Sequence, residues 1–263
     1  MRRRAYGHRT ALALACLLLA PAASAADGQD QRYLGDTAPD LVAVLPRAPL
    51  AGTPRYETDR KVFRQTRKLA GTPRWQAATE DVKVDVPAML RNFSCAAGVA
   101  MTEENAPRTA ALLARLRKDV SHAVSAPKRH YQRKRPFLID SGPVCQPRAE
   151  LETSFDYPSG HTSWGWAVAL TLAEADPSHA GAILARGRAY GESRVVCGAH
   201  NASAVEAGRT AAASVVAALH GVPEFRDDVA AARTEIRALR DQQQMTDAAS
   251  CQAEISLLGP SPY

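Results

Sequence analysis

The stretch YPSGHTSWGWAVALTLAE, residues 157–174, decides the fold class. From Trp164 to Glu174 it is apolar nearly all round, and a helix without a polar face belongs in a core. The preceding Tyr157-Pro158-Ser159-Gly160-His161-Thr162 reads as a turn feeding that helix. Ser159 or Thr162 stands where an N-cap satisfies orphan backbone donors. The same geometry opens N–H groups and a helix dipole to an anion, and Gly160 lets a ligand approach the backbone.

A second stretch, GESRVVCGAHNASAVEAGR (residues 191–209), repeats this arrangement. It leads into Ala204–His220, where Val205, Val215, Val216 and Leu219 are accompanied by many alanines and Gly208, small residues that permit close helix packing. Both buried helices thus begin directly after a histidine-containing loop. Around them, apolar residues recur at three- and four-residue steps. The stripes are Val62, Phe63, Thr66 and Leu69; Val86, Met89, Leu90 and Phe93; Leu112, Leu113, Leu116 and Val120 after Pro107; and Val229, Ala232, Ile236 and Leu239. That is the helical period, and strand-like alternation is nearly absent. Asp27 to about Pro54, with four prolines and no period, reads as an irregular surface arm. The expectation is all-α: a single helical domain with a core bundle.

Composition narrows the class. With 46% apolar and 23% charged residues, the 263-residue chain is neither disordered nor collagen-like. Its formal charge of +6 suggests a polyanion partner, but Arg2, Arg3, Arg4 and Arg9 precede an apolar run, Ala11–Ala20, and then Ala23-Ser24-Ala25. This is the order of a cleavable signal peptide over residues 1–25, too short to span a bilayer. Residues 26–263 keep 29 basic against 27 acidic side chains, a formal +2, which does not suit a phosphate-backbone binder. A periplasmic or secreted product is expected, with no nucleic-acid partner and no membrane association after cleavage. Cys95, Cys145, Cys197 and Cys251 remain, enough for two disulfides in any of three pairings.

Three polar motifs precede or enter the core helices. They are Lys128-x6-Arg135-Pro136, Pro158-Ser159-Gly160-His161, and Ser193-Arg194-x5-His200. Taken singly, the first is a solvated basic loop and the second a helix cap. Together, in this order and spacing, they resemble the signature of the phosphatidic acid phosphatase type 2 / vanadium haloperoxidase superfamily. The Tyr-Pro-Ser-Gly-His-Thr wording, the export signal and Gly71-Thr72-Pro73-Arg74-Trp75 make the chain most similar to bacterial class A non-specific acid phosphatases, from roughly Tyr33 to the C-terminal helix.

The resemblance implies roles that the chemistry supports. Lys128, Arg135 and Arg194 would supply charge to a phosphate monoester, the arginines bidentately. Ser159 and the Gly160 amide would complete the cradle. His200 would attack phosphorus, forming a phosphohistidine, and His161 would protonate the leaving oxygen and then activate water. Three cations would stabilise the equatorial oxygens, so neither metal nor other cofactor is expected.

The family pattern continues His-x3-Asp, and here the fourth residue after His200 is Ala204. By analogy with serine proteases, loss of the orienting carboxylate costs up to roughly 10⁴-fold. Ser203-x-x-Glu206 reads as a capping box, which occupies Glu206. His200 is then expected to work with weaker orientation, from a backbone carbonyl, a water or Asn201, and Ala204→Asp to raise turnover or leave it similar. His122, His130, His179 and His220 receive structural readings, His130 at the border of the pocket. Two alternatives follow: a vanadium-dependent haloperoxidase, and a phosphate-binding homologue with reduced turnover. The small-residue helix faces and the Pro-rich arm are compatible with a homo-oligomer.

Overall fold

Proline and short polar side chains set most helix starts. Thr53, Thr72 and Asp85 accept hydrogen bonds from the backbone of Tyr56, Trp75 and Ala88, each three residues on, with a proline at the first or second helical position. The computed structural model describes residues 32–263, so the export signal expected over residues 1–25 lies outside the described residues. In chain order the α-helices are α1 (Leu41–Val44), α2 (Pro54–Thr66), α3 (Pro73–Glu80), α4 (Val86–Ala97), α5 (Pro107–Tyr131), α6 (Ala149–Glu152), α7 (Gly160–Ala175), α8 (Ala180–Val196), α9 (Ala202–Leu219), α10 (Pro223–Asp241) and α11 (Ala248–Leu258). Short 3₁₀ turns join Arg67–Leu69, Pro136–Leu138 and Pro177–His179. Among the described residues no strand forms; Val99 and Met245 make an isolated bridge. The fold is all-α, as the periodicity implies.

Helix α7 is the centre. It packs most extensively on α8 and α9, with α5 and α10 across its other side. Close approach is built from small residues. A Cβ on Gly187 of α8 would collide with Ala169 of α7, and one on Gly208 of α9 would lie 2.8 Å from the Ser159 carbonyl oxygen. The α7–α9 contact therefore brings the turn before α7 directly against the first turns of α9. The Ser159 N–H donates to the Ala204 carbonyl at 2.9 Å.

The region 193–199 is not the loop expected. Ser193 and Arg194 lie in the last turn of α8. That helix hides from periodicity because it buries charge along with apolar residues: Arg186 pairs with Asp81 at 2.6 Å, and Glu192 with Arg188 at 2.7 Å. The N-terminal arm is irregular apart from α1, yet Leu34, Leu41 and Leu45 reach the core. The backbone N–H groups of Tyr33 and Leu34 donate to buried Asp119 at 2.9 and 3.0 Å.

Of the three disulfide pairings left open, the structure takes Cys95–Cys251 and Cys145–Cys197. The first ties α11 to α4. The second ties the 140s segment to the end of α8, beside a 3.0 Å hydrogen bond from Cys145 N–H to the Cys197 carbonyl.

Candidate active site

The three motifs converge on one cleft of about 350 Å³, whose walls include Val82, Lys128, Arg135, Gly160, His161 and His200. Lys128 comes from the last turn of α5, and a Cβ on Gly160 would touch its Cε at 3.7 Å. The basic stretch 128–135 is thus a helix end and a turn into the site rather than a solvated loop. Arg135 follows, its Nε donating to the Ser154 carbonyl at 2.7 Å and its Nη1 to the Ala199 carbonyl at 2.8 Å. Arg194, wholly buried behind the cleft, donates through Nη2 to Gln146, a wall residue. Its Nε and Nη1 are buried without a hydrogen-bond partner.

These three cations share one property. Among the described residues, none is within ion-pair distance of a carboxylate; their partners are carbonyls, an amide and an imidazole. Arg133 and Arg186, by contrast, are paired with Asp59 and Asp81. Burial pushes all three down: Lys128 to about 7, with Arg135 adding repulsion, Arg194 to about 10, and Arg135 in the same direction. Two buried cations and one half-buried one in that state suit an anion.

Ser159 has the capping role open to it from the sequence. Its Oγ accepts from the Thr162 N–H at 3.3 Å and from the Thr162 hydroxyl at 2.9 Å, and the residue is fully buried. It holds the turn behind the cleft, while Gly160 and His161 line the cleft itself.

The two histidines differ in how their rings are held. His161 donates from Nε2 to the Val82 carbonyl at 3.0 Å, which leaves Nδ1 as the ring's other nitrogen for a second partner. His200 has Nε2 at 3.1 Å from Arg135 Nη1 and Nδ1 at 3.0 Å from Asp156 Oδ1. A guanidinium only donates, so Nε2 carries the lone pair and Nδ1 the proton. Burial and the neighbouring cations hold both rings well below the ordinary histidine range; the Val82 carbonyl opposes this at His161.

Asp156 is the functional residue missed by motif reading. It is 0% exposed. Besides His200, its Oδ1 accepts from the Asn201 N–H at 3.1 Å, and its Oδ2 from Asn201 Nδ2 at 2.8 Å, with Arg133 Nη1 at 3.4 Å. Burial pushes the carboxyl up, and Arg133 and the Asn201 donors oppose it. The only sequence signal was an acid immediately before Tyr157-Pro158.

The expected capping box is absent. Asn201 is the N-cap of α9, and the Ser203 N–H donates to Asp59 Oδ1 at 2.9 Å. Glu206 is exposed and pairs with Arg55. The α9 start is capped from α2 because Arg133 also pins Asp59, at 2.7 Å. His130 does not border the cleft; it lines a separate depression with Arg47 and Leu50. His179 and His220 lie at helix junctions, His220 3.2 Å from Glu174.

Residues 109–227 match the family described as the PAP2 superfamily. The chain is similar to an acid phosphatase of Zymomonas mobilis, 39% identical over 219 residues, 82% of this chain and 83% of the relative. It is 36% identical over 195 residues to a non-specific acid phosphatase of Salmonella typhimurium, covering 73% of this chain and 78% of the relative. A non-specific acid phosphatase of Providencia stuartii is 36% identical over 215 residues, covering 80% and 87%.

Proposed function

The chain belongs to the PAP2 superfamily, and from that premise we propose that it is an exported acid phosphatase that hydrolyses phosphate monoesters through a phosphohistidine at His200, without a metal. The carrying observation is the cleft itself: Lys128, Arg135 and Arg194 gather without a carboxylate partner around an imidazole whose Nε2 lone pair faces the cations. A phosphate dianion supplies the missing charge, and Arg194, whose Nε and Nη1 have no partner, retains donors for it.

The chemistry balances on these residues. His200 Nε2 attacks phosphorus as the bond to the leaving oxygen breaks. The proton on His161 Nδ1 moves to that oxygen, which departs as the alcohol. Water then attacks the phosphohistidine while His161 Nδ1 takes its proton, and the P–N bond pair returns to Nε2. Preorganised cations stabilise the equatorial oxygens throughout. Low basicity keeps His200 neutral in acid. Burial and then Arg194 push His161 down as well, and an arriving dianion offsets the cationic share, so His161 serves as the acid only with phosphate bound.

Export is supported by the basic-apolar-small order of residues 1–25 and by two disulfides, which persist in oxidising compartments. Among the described residues no helix is long and apolar enough to cross a membrane.

The test is hydrolysis of p-nitrophenyl phosphate by the purified protein, with EDTA, across acidic pH, beside His200→Ala. The expected outcome is EDTA-resistant turnover, abolished in the variant, with an acid-labile phosphoenzyme trapped on rapid quench. Wild-type protein inactive on every aryl phosphate would overturn the reading. Vanadate is expected to inhibit; vanadate-dependent halide oxidation would favour the haloperoxidase instead.

A further inference from the structure

We infer that Asp156 is the carboxylate that positions His200 in this chain, supplied from the segment before α7 in place of the aspartate that the family resemblance sets at position 204. The inference rests on the phosphatase reading above and assigns the orienting group of that site.

The geometry carries it in three steps. First, Asp156 Oδ1 and Arg135 Nη1 hold opposite nitrogens of one ring, at 3.0 and 3.1 Å. The carboxylate accepts a hydrogen bond from Nδ1–H, the guanidinium donates to Nε2, and together they leave one tautomer. Second, every group facing Asp156 donates: His200 Nδ1–H, the Asn201 N–H, Asn201 Nδ2 and Arg133 Nη1. A proton on either carboxyl oxygen would meet no acceptor, so these donors favour the anion against the burial that pushes the carboxyl up. That anion can accept the positive charge that develops on His200 as Nε2 bonds to phosphorus.

Third, position 204 carries no acid. Ala204 is 0% exposed, lies in the main apolar core and engages the Ser159 N–H through its carbonyl. With Asp156 already holding Nδ1, a carboxylate added there would be a buried charge without a partner, which is costly. Asp at 156 and Ala at 204 are therefore alternatives within one arrangement.

A purely structural role, as anchor for Arg133, fits less well. Arg133 already has Asp59 at 2.7 Å and the Ser203 hydroxyl at 2.6 Å, whereas its contact with Asp156 is 3.4 Å. The shorter bonds of Asp156 go to His200 and its neighbour Asn201.

The test uses the full mature chain in four forms: wild type, Asp156→Ala, Ala204→Asp and the double variant. Asp156→Ala is expected to lower kcat by about 10²- to 10⁴-fold with KM changed less than about fivefold. Its acid limb should move to lower pH, because the carboxylate no longer supports the imidazolium. Ala204→Asp alone should gain nothing, and the double variant should recover at least tenfold in kcat over Asp156→Ala. A kcat within threefold of wild type in Asp156→Ala overturns the inference, as does a folded double variant with no recovery.

Nitrogen NMR of the His200 ring in the wild type decides independently of turnover and of any variant's folding. Protonated Nδ1 with bare Nε2 is expected, and the opposite tautomer overturns the inference. Should the wild type be inactive while this tautomer is found, the phosphatase reading fails and the assignment of Asp156 to the ring stands.

Discussion

Arg135 Nη1 lies 3.1 Å from His200 Nε2, so a guanidinium that can only donate faces the nitrogen proposed to attack phosphorus. The contact keeps the lone pair at Nε2 and, after burial, is the leading cause that holds the imidazole below its ordinary range.

Arg135→Gln separates these effects. Burial, then Arg135, are the leading causes that depress His200, so removing the cation raises the imidazole toward its ordinary range. Since the attacking form is neutral, the acid limb of kcat/KM should move to higher pH. The loss of a phosphate donor should lower kcat/KM by about 10²- to 10³-fold at the optimum. A pH–rate profile with an unmoved acid limb would count against the assigned contact.

Lys128 sets the opposite limb. Desolvation and Arg135 push its ammonium down to about 7, so it carries charge below that pH and loses it above. Anion affinity should fall as pH rises through 7. Sulfate makes the cleanest probe, because its own charge is constant there; its inhibition constant should rise with pH in the wild type. Lys128→Arg, charged throughout, should flatten that rise.

How far the sequence carried the reading depended on the distance between partners. Helices with an apolar stripe, such as α4 and α10, were legible because the information lies within one turn. Helix α8 was not, since Arg186, Glu192 and Arg194 are buried in it and paired or poised across the fold. The same holds within the site. Lys128, Arg135, Gly160, His161 and His200 were named from local motifs and meet in one cleft, while Asp156 serves His200 across 44 positions that no local rule connects. The capping of α9 by Asp59, 144 positions before Ser203, was hidden for the same reason, and Glu206 at capping-box spacing was misread.

The Cys145–Cys197 bridge should matter to substrate binding as well as stability. It joins the segment holding Gln146, which receives Arg194, to the turn between Arg194 and His200. Closing a loop of 52 positions stabilises by about 4 kcal/mol in the chain-entropy account. Cys145→Ser with Cys197→Ser is expected to lower Tm and raise KM several-fold, with a smaller change in kcat. Thermal melts and steady-state kinetics on the double variant check this, and an unchanged KM would sever the bridge from the cleft wall.

Two helical glycines should respond to alanine in opposite directions, because only one of them holds a close approach. Gly181, in the first turn of α8, has nothing within 4 Å of an added Cβ, so Gly181→Ala adds helix propensity at no steric cost. It should stabilise by about 0.5–1 kcal/mol with kinetics unchanged. At Gly208 the added Cβ would stand 2.8 Å from the Ser159 carbonyl oxygen and 2.9 Å from Thr162 Cβ. Both belong to the turn that presents Gly160 and His161, and neither is the loose end of a long side chain. Gly208→Ala must push α9 from α7, costing about 1–3 kcal/mol as overpacking does. The same displacement separates His161, in the first turn of α7, from His200, just before α9, so kcat should fall by more than the unfolded fraction explains. A Gly208→Ala protein with wild-type Tm and kcat would mean that this helix contact does not set the spacing of His161 and His200.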